Sequence, residues 1–216
     1  MVVPRLGAPV VLTMGALLCA ERTDEDRHVD TMTTPDAQAR TTADGRPWTL
    51  RPARPTDARG LARLFAEVRS EGRWLVTPPS AISEPSEAYF IGELIRGSGS
   101  LALVAEADGD VVGNVLISRE RNVVTEHIGT LSICVARDWR DAGIGTALME
   151  AAIDWARDGG LGKVALGVFP DNSRAIAVYE RVGFVREGHR RRQYRTDEGT
   201  FRDELLMAWF PEEREQ

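Results

Sequence analysis

Leu131-Ser-Ile-Cys-Val-Ala-Arg-Asp-Trp-Arg140-Asp-Ala-Gly143-Ile-Gly145-Thr-Ala-Leu-Met149 changes its period part-way along. It continues an apolar run that starts at Ile128 and ends at Val135, as a strand does, and then turns through two glycines. From Ile144 onward, Leu148, Ala151, Ala152 and Trp155 recur at helical spacing, and Gly159-Gly160 is a helix stop. N–H groups at a helix start lack partners in the first turn, and the dipole behind them favours an anion. Gly143 and Gly145 put no Cβ in the way of a bulky phosphate, and Arg140 adds positive charge. The stretch predicts a strand–turn–helix anion site; its blander alternative is a tight turn with close helix packing.

Outward from this stretch the elements fall into a definite order. Upstream, Leu101 to Ala107 and Val111 to Ser118 flank Asp108-Gly109-Asp110, a strong antiparallel turn signal. Ahead of them, Trp48 to Ala53 reads as a strand, and Thr56 as the cap of a helix carrying Leu61, Leu64, Phe65 and Val68 on one face. A second helix is expected from Ser86 to Arg96, after an irregular loop from Glu71 to Pro79. Downstream come a brief buried strand from Lys163 to Val168, a helix from Ser173 to Val182, and strands from Phe184 to Trp209 around Asp197-Glu198-Gly199. Strands, then strand–helix–strand–helix, then strands give a mixed α/β (α+β) fold. Its central sheet is mostly antiparallel, flanked by helices, with one parallel strand–helix–strand crossover.

Composition narrows the function. The 216 residues are 43% hydrophobic and 28% charged, enough for one core, and the formal charge of -6 argues against a generic nucleic-acid binder. Cys19 and Cys134 are far apart in different contexts, and His28, His127 and His189 are scattered, so no metal set is expected. Residues 1–47 read differently from the rest. Val2 to Ala20 is a broken apolar run that could be a short signal-peptide core or a poor membrane anchor, too short to span a bilayer comfortably, and Glu21 to Pro47 carries almost no large apolar residue. The expectation is a disordered extension, or upstream sequence ahead of a true start at Met14 or Met32, with the domain at 48–216. A cytoplasmic protein with no membrane or nucleic-acid partner follows, and a homodimer is compatible with it.

Other anion sites fit poorly. A dinucleotide fingerprint wants a third glycine where Leu148 stands and an acid near Ala165; the phosphate-loop pattern fails because Val164 follows Gly162-Lys163. There is no G-x-S-x-G elbow and no H-E-x-x-H helix. Arg140-Asp-Ala-Gly143-Ile-Gly145 instead resembles the R/Q-x-x-G-x-G/A loop of the GNAT superfamily of acyl-CoA-dependent N-acetyltransferases. Asn172-Ser-Arg-Ala175-Ile-Ala-Val-Tyr179-Glu-Arg-Val-Gly183-Phe184 is similar to that family's second signature. The two motifs occur in order, with a helix and a strand between them, and the resemblance spans about Trp48 to Trp209.

The resemblance implies acetyl transfer from acetyl-CoA, as co-substrate and without a metal, to a primary amine of a small molecule or a protein. It implies cofactor contacts at Ile133, Val135, Arg140, Ala142, Gly143, Ile144, Gly145, Thr146, Asn172 and Tyr179, with Tyr179 as the acid that protonates the departing thiolate. Asn172 is also a good helix cap. Some relatives carry a carboxylate base within the strand where this chain has Thr130 and Ser132, which leaves Glu126 and His127 at the strand start as candidates, each with an ordinary polar role as alternative. The resemblance places the amine pocket at the Glu71 to Pro79 loop and the final hairpin, where Trp74 could wall it or stack on a cation, a loop anchor in the core being its alternative. Cys134 reads as a small buried hydrophobe, and the Arg190-Arg191-Arg192 cluster as a solvated face. A non-catalytic acyl-CoA-binding module of the same fold remains the other reading.

Overall fold

The structure, a computed structural model, describes residues 35–75, 84–96, 99–120, 122–196 and 198–211. Within them eight strands form one sheet: β1 (Gln38–Thr41), β2 (Pro47–Pro52), β3 (Ser100–Ala107), β4 (Asp110–Arg119), β5 (Ile128–Val135), β6 (Lys163–Val168), β7 (Val185–Arg195) and β8 (Phe201–Trp209). The helices are α1 (Ala58–Ser70), α2 (Glu84–Arg96), α3 (Ile144–Asp158) and α4 (Ser173–Arg181). The strand order is β1-β2-β3-β4-β5-β6-β8-β7, and every neighbouring pair is antiparallel except β5 with β6. The expected mixed sheet with a single parallel crossover through α3 is therefore the observed one.

Alternate pleats of β3 serve two layers. Leu101, Leu103 and Ala105 join the main core with Ile144, Leu148 and Ala152 of α3, whereas Val104 faces Ala58, Leu61, Ala62 and Ile91 of α1 and α2. Gly113 of β4 lies beneath Ile144 and Leu148, close enough that a Cβ there would sit 3.3 Å from both. The N-terminus of α3 is thus seated directly on the sheet. Of the residues expected on the inner side of the second helix, Ile91 is buried and Ile95 packs beside it. The side chains of Phe90 and Leu94 lie outside the description.

Two local expectations differ from what is seen. Thr56 does not cap α1: Pro55–Asp57 forms a 3-10 turn, and the Asp57 carboxylate accepts from the Arg54 N–H at 2.7 Å while holding Arg51 at 2.7 and 2.9 Å. A carboxylate that satisfies both a turn N–H and a buried guanidinium displaces the weaker hydroxyl cap. The sheet also starts ahead of Trp48, inside the stretch expected to lack structure. β1 pairs along β2 from Gln38 opposite Leu50 to Thr41 opposite Pro47. Arg46, in the turn, donates to the Asp138 carbonyl and stacks 4.1 Å from the Trp139 ring. Residues 1–34 lie outside the described residues.

A chain beginning at Arg46 removes β1, bares the β2 edge and takes away Asp44, which pairs with the Arg46 guanidinium at 2.9 Å. We expect it to lose on the order of 1–2 kcal/mol, a fall in Tm of roughly 2–8 °C for a domain of this size. A chain beginning at Pro35 should melt like the full protein. Equal Tm values for the two truncations would show that β1 contributes nothing to the domain.

Candidate active site

β5 and β6 pair only at Ile128–Lys163, Gly129–Val164 and Thr130–Ala165, although β5 runs on to Val135 and β6 to Val168. Past Thr130 the strands part, and a cleft of about 820 Å³ opens between them. Its walls include Leu131 to Val135 of β5, Leu166 to Phe169 at the end of β6, and Asn172, Val178 and Tyr179 of α4. One end reaches Gly143, Gly145 and Thr146, and the other reaches Trp74, Leu75 and Tyr194. A parallel pair opened part-way leaves ladder N–H and C=O groups facing the gap, where a polar ligand chain can meet them.

At the first end, Ala147 N–H makes the first helical bond of α3, to Gly143 O at 3.0 Å. The N–H groups of Ile144, Gly145 and Thr146 precede it and find no partner among the described residues. Gly143 has φ of +85°, a conformation that disfavours any side chain, whereas at Gly145 a Cβ would meet only Val135 Cγ2, at 3.9 Å, so the space over it is open to a ligand. These features make a backbone cradle for an anion, open on the side a ligand would fill. Ile144 supplies only its backbone, since its side chain is buried in the core, and Ala142 is half-buried beside the cleft without lining it.

Arg140 is placed differently from the expected free charge. Its Nε donates to Val135 O at 2.9 Å, and its two terminal nitrogens grip the Glu71 carboxylate, one at 2.8 Å. The Glu71 side chain is only 8% exposed, and the guanidinium holds its carboxyl below the usual carboxylate range. Arg140 is therefore largely neutralised. It clamps the turn to the end of α1, from which Arg73 to Leu75 lead into the cleft wall. The anion cradle consequently rests on backbone dipoles more than on side-chain charge.

Tyr179 is 8% exposed and lines the cleft, with its ring tilted against Phe184 at 6.1 Å. Burial pushes its hydroxyl above the ordinary tyrosine value, so it remains a proton carrier at any ordinary pH. Its Oη makes no hydrogen bond among the described residues. Asn172 caps α4 by accepting from Ala175 N–H at 3.2 Å, which leaves its amide N–H₂ available on the cleft wall. Ile133, Val135 and Ser132 line the cleft as well. Cys134 is buried, and desolvation raises its thiol to about 12, so it is a neutral wall and no nucleophile.

Glu126 is not brought to this site. It stands exposed in the turn before β5, as does His127, and neither lines the cleft. The last hairpin is the expected acceptor element, but sequence reasoning did not single out its residues Tyr194, Arg202 and Glu204. Glu204 of β8 is 1% exposed; it accepts from Tyr194 Oη at 2.6 Å and from Arg190 at 3.3 Å. Beside it Arg202 lies over the Phe169 ring at 3.4 Å and pairs with Asp171 at 2.7 Å. The Arg cluster is accordingly spent in pairs and on a strand face: Arg186 meets Glu180, and Arg192 stacks on Phe201. A β-bulge between Arg190 and Tyr194 shifts the register and brings Tyr194 round to the cleft. No sequence pattern forecasts that bulge.

An 820 Å³ cleft with an open backbone cradle at one end and a protonated tyrosine along its wall suits a long anionic cofactor. A model of the acetyltransferase (GNAT) family matches residues 63–184, over half the chain. The chain belongs to the GNAT family. It is 31% identical over 163 residues to the L-amino acid N-acetyltransferase AaaT of Escherichia coli strain K12, covering 74% of this chain and 95% of that protein. It is 32% identical over 158 residues to the N-alpha-acetyltransferase RimI of Mycobacterium tuberculosis, covering 71% and 89% of the two chains. Among solved structures, a GNAT acetyltransferase from Streptococcus pneumoniae superposes with a TM-score of 0.69 at 28% identity, over 76% of this chain and 99% of that one. This GNAT chain is thus an acyl-CoA-dependent N-acetyltransferase. Among the described residues no helix is long and apolar enough to cross a membrane, and no cluster of ligating side chains is suited to a metal.

Proposed function

We propose that this GNAT enzyme transfers an acetyl group from acetyl-CoA to a primary amine by direct attack within a ternary complex. The observation that carries it is the single cleft joining the Gly143–Thr146 cradle, the parted edge of β5 and Tyr179. In this reading the cofactor diphosphate sits on the N–H groups of Ile144, Gly145 and Thr146, and the thioester arm follows β5 past Ile133 and Val135, within reach of the Asn172 amide. Acetyl-CoA supplies an activated acyl carbon and a thiolate leaving group. Tyr179, held neutral by burial, gives that thiolate its proton as the tetrahedral adduct collapses.

The acceptor enters from the other end, between Trp74, Leu75, Phe169 and Tyr194. The relatives are named for L-amino acids and for N-alpha acetylation, both α-amines, so free amino acids and peptide N-termini are the first acceptors to try. A cytoplasmic setting suits an unpaired buried cysteine such as Cys134. The test is an amine screen with acetyl-CoA, reading free thiol. Thiol release that depends on one class of amine and gives an N-acetyl product is the expected result. Thiol release without an acetylated amine, or no affinity for acetyl-CoA, overturns the proposal.

A further inference from the structure

An ammonium must lose a proton before its nitrogen can attack a thioester, and Glu126 stands away from the cleft. The other carboxylates in or beside the cleft are poor takers of that proton. Asp171 is paired with Arg202, Asp141 is paired with Arg174 at the rim with a side chain 78% exposed, and Glu71 is held by Arg140. Glu204 is paired as well, with Arg190 at 3.3 Å, and it differs from the others in its burial and in its link to the cleft. It is almost fully buried, and one oxygen, Oε1, is tied to a residue that lines the cleft, through the 2.6 Å bond from Tyr194 Oη.

Resting on the acetyl-transfer reading, we propose that Tyr194 and Glu204 form the relay that withdraws the proton from the acceptor amine. The ammonium N–H bond breaks as an O–H bond forms at Tyr194 Oη, and the hydroxyl's own proton passes to Glu204 Oε1. The electron pair stays on nitrogen and attacks the acetyl carbon, so an ammonium and a carboxylate become an amine and a carboxylic acid. Burial and the adjacent carboxylate push the Tyr194 hydroxyl above its ordinary value, so tyrosine acts as a carrier and does not persist as a phenolate. Arg190 of β7 holds the other oxygen, Oε2, at 3.3 Å and steadies the carboxylate. The register of β8 on β6 sets Leu205 opposite Val168, so the β6 neighbours of Glu204 are the apolar Val168 and Phe169. Charged groups at this corner include Arg202 and Asp171, which pair with each other, and Arg73, whose guanidinium lies over the Trp74 ring at 4.4 Å. The T-shaped contact of Tyr194 with Phe169, at 5.8 Å, fixes the ring at the acceptor end.

The experiment measures kcat/KM for an alanine-led tripeptide with acetyl-CoA between pH 6 and pH 9.5, in wild type, Glu204→Gln and Tyr194→Phe. Glutamine keeps the shape and can still accept from Tyr194 but cannot take a proton, and phenylalanine cuts the relay while leaving the Glu204–Arg190 pair in place. Both variants should bind acetyl-CoA as wild type does, and both should lose about 10²-fold at pH 7. The loss should narrow roughly tenfold by pH 9, because the peptide amine, with a pKa of about 8, is then already neutral. A deficit equal at every pH, or none, overturns the relay while leaving acetyl transfer intact. Should Glu204→Gln fail to fold, Tyr194→Phe decides alone. A wild type that binds acetyl-CoA yet acetylates no amine in the screen overturns the parent reading, and the relay with it.

Discussion

Tyr179→Phe is expected to lower kcat by about 10²-fold with acetyl-CoA affinity unchanged. The substitution removes one oxygen that has no hydrogen-bond partner among the described residues, and the ring's contact with Phe184 survives, so the fold loses little. The loss lies toward the lower end of general-acid effects because a thiolate is a fair leaving group and water can supply its proton more slowly. Burial adds a second feature. With the hydroxyl raised above its ordinary value, it does not titrate between pH 7 and pH 9.5, so the deficit should be the same across that range. Steady-state rates at saturating acetyl-CoA, read as free thiol, check both statements. Wild-type turnover in the variant would make Tyr179 a wall of the cleft and nothing more.

Gly145→Val should weaken CoA binding by about 10²-fold or more while leaving Tm nearly unchanged. The two glycines of the turn serve separate purposes, which makes this position the cleaner test. At Gly143 a side chain must adopt φ of +85°, so a variant there mixes backbone strain with any effect on the ligand. Gly145 is helical, and its Cβ position is open except for Val135 Cγ2 at 3.9 Å. A valine is therefore accommodated by the protein and stands where the diphosphate would approach the N–H groups of the first turn. Calorimetry with CoA, alongside thermal melts, separates the two effects. Unimpaired binding in a folded Gly145→Val protein would remove the cradle from the cofactor's path.

Much of this architecture is written locally. The run from Ile128 to Val135, the glycine turn and the helix face from Ile144 each carry their own period, and the structure sets β5 and α3 at those residues. The Asp108-Gly109 turn places the β3–β4 hairpin in the same way. β1 escaped notice because Gln38-Ala-Arg-Thr41 is an edge strand with no buried residue, so it has no alternation to read. The Arg140–Glu71 clamp escaped for another reason: its partners are 69 residues apart, and no spacing rule joins them. In the site, the motif positions Gly143, Gly145, Asn172 and Tyr179 do line one cleft, whereas Glu126 sits exposed in a turn that does not line it. Glu204 was hidden as one acid among several on a polar strand, since its partners Tyr194 and Arg190 lie on the facing strand at an irregular register that no sequence pattern gives.

The parting of β5 from β6 also bears on the cohesion of the molecule. One half of the sheet, β1 to β5, meets the other, β6 to β8, through three backbone pairings at one end, and beyond Thr130 the two halves share no rungs. A ligand lying in the gap supplies atoms to both edges at once and acts as a strut between them. Occupancy of the cleft is then linked to the free energy of folding, and the β7–β8 hairpin, which carries Tyr194 and Glu204, belongs to the half that the strut secures. On the proposed acetyl-transfer reading, cofactor binding would firm the wall that the amine must meet.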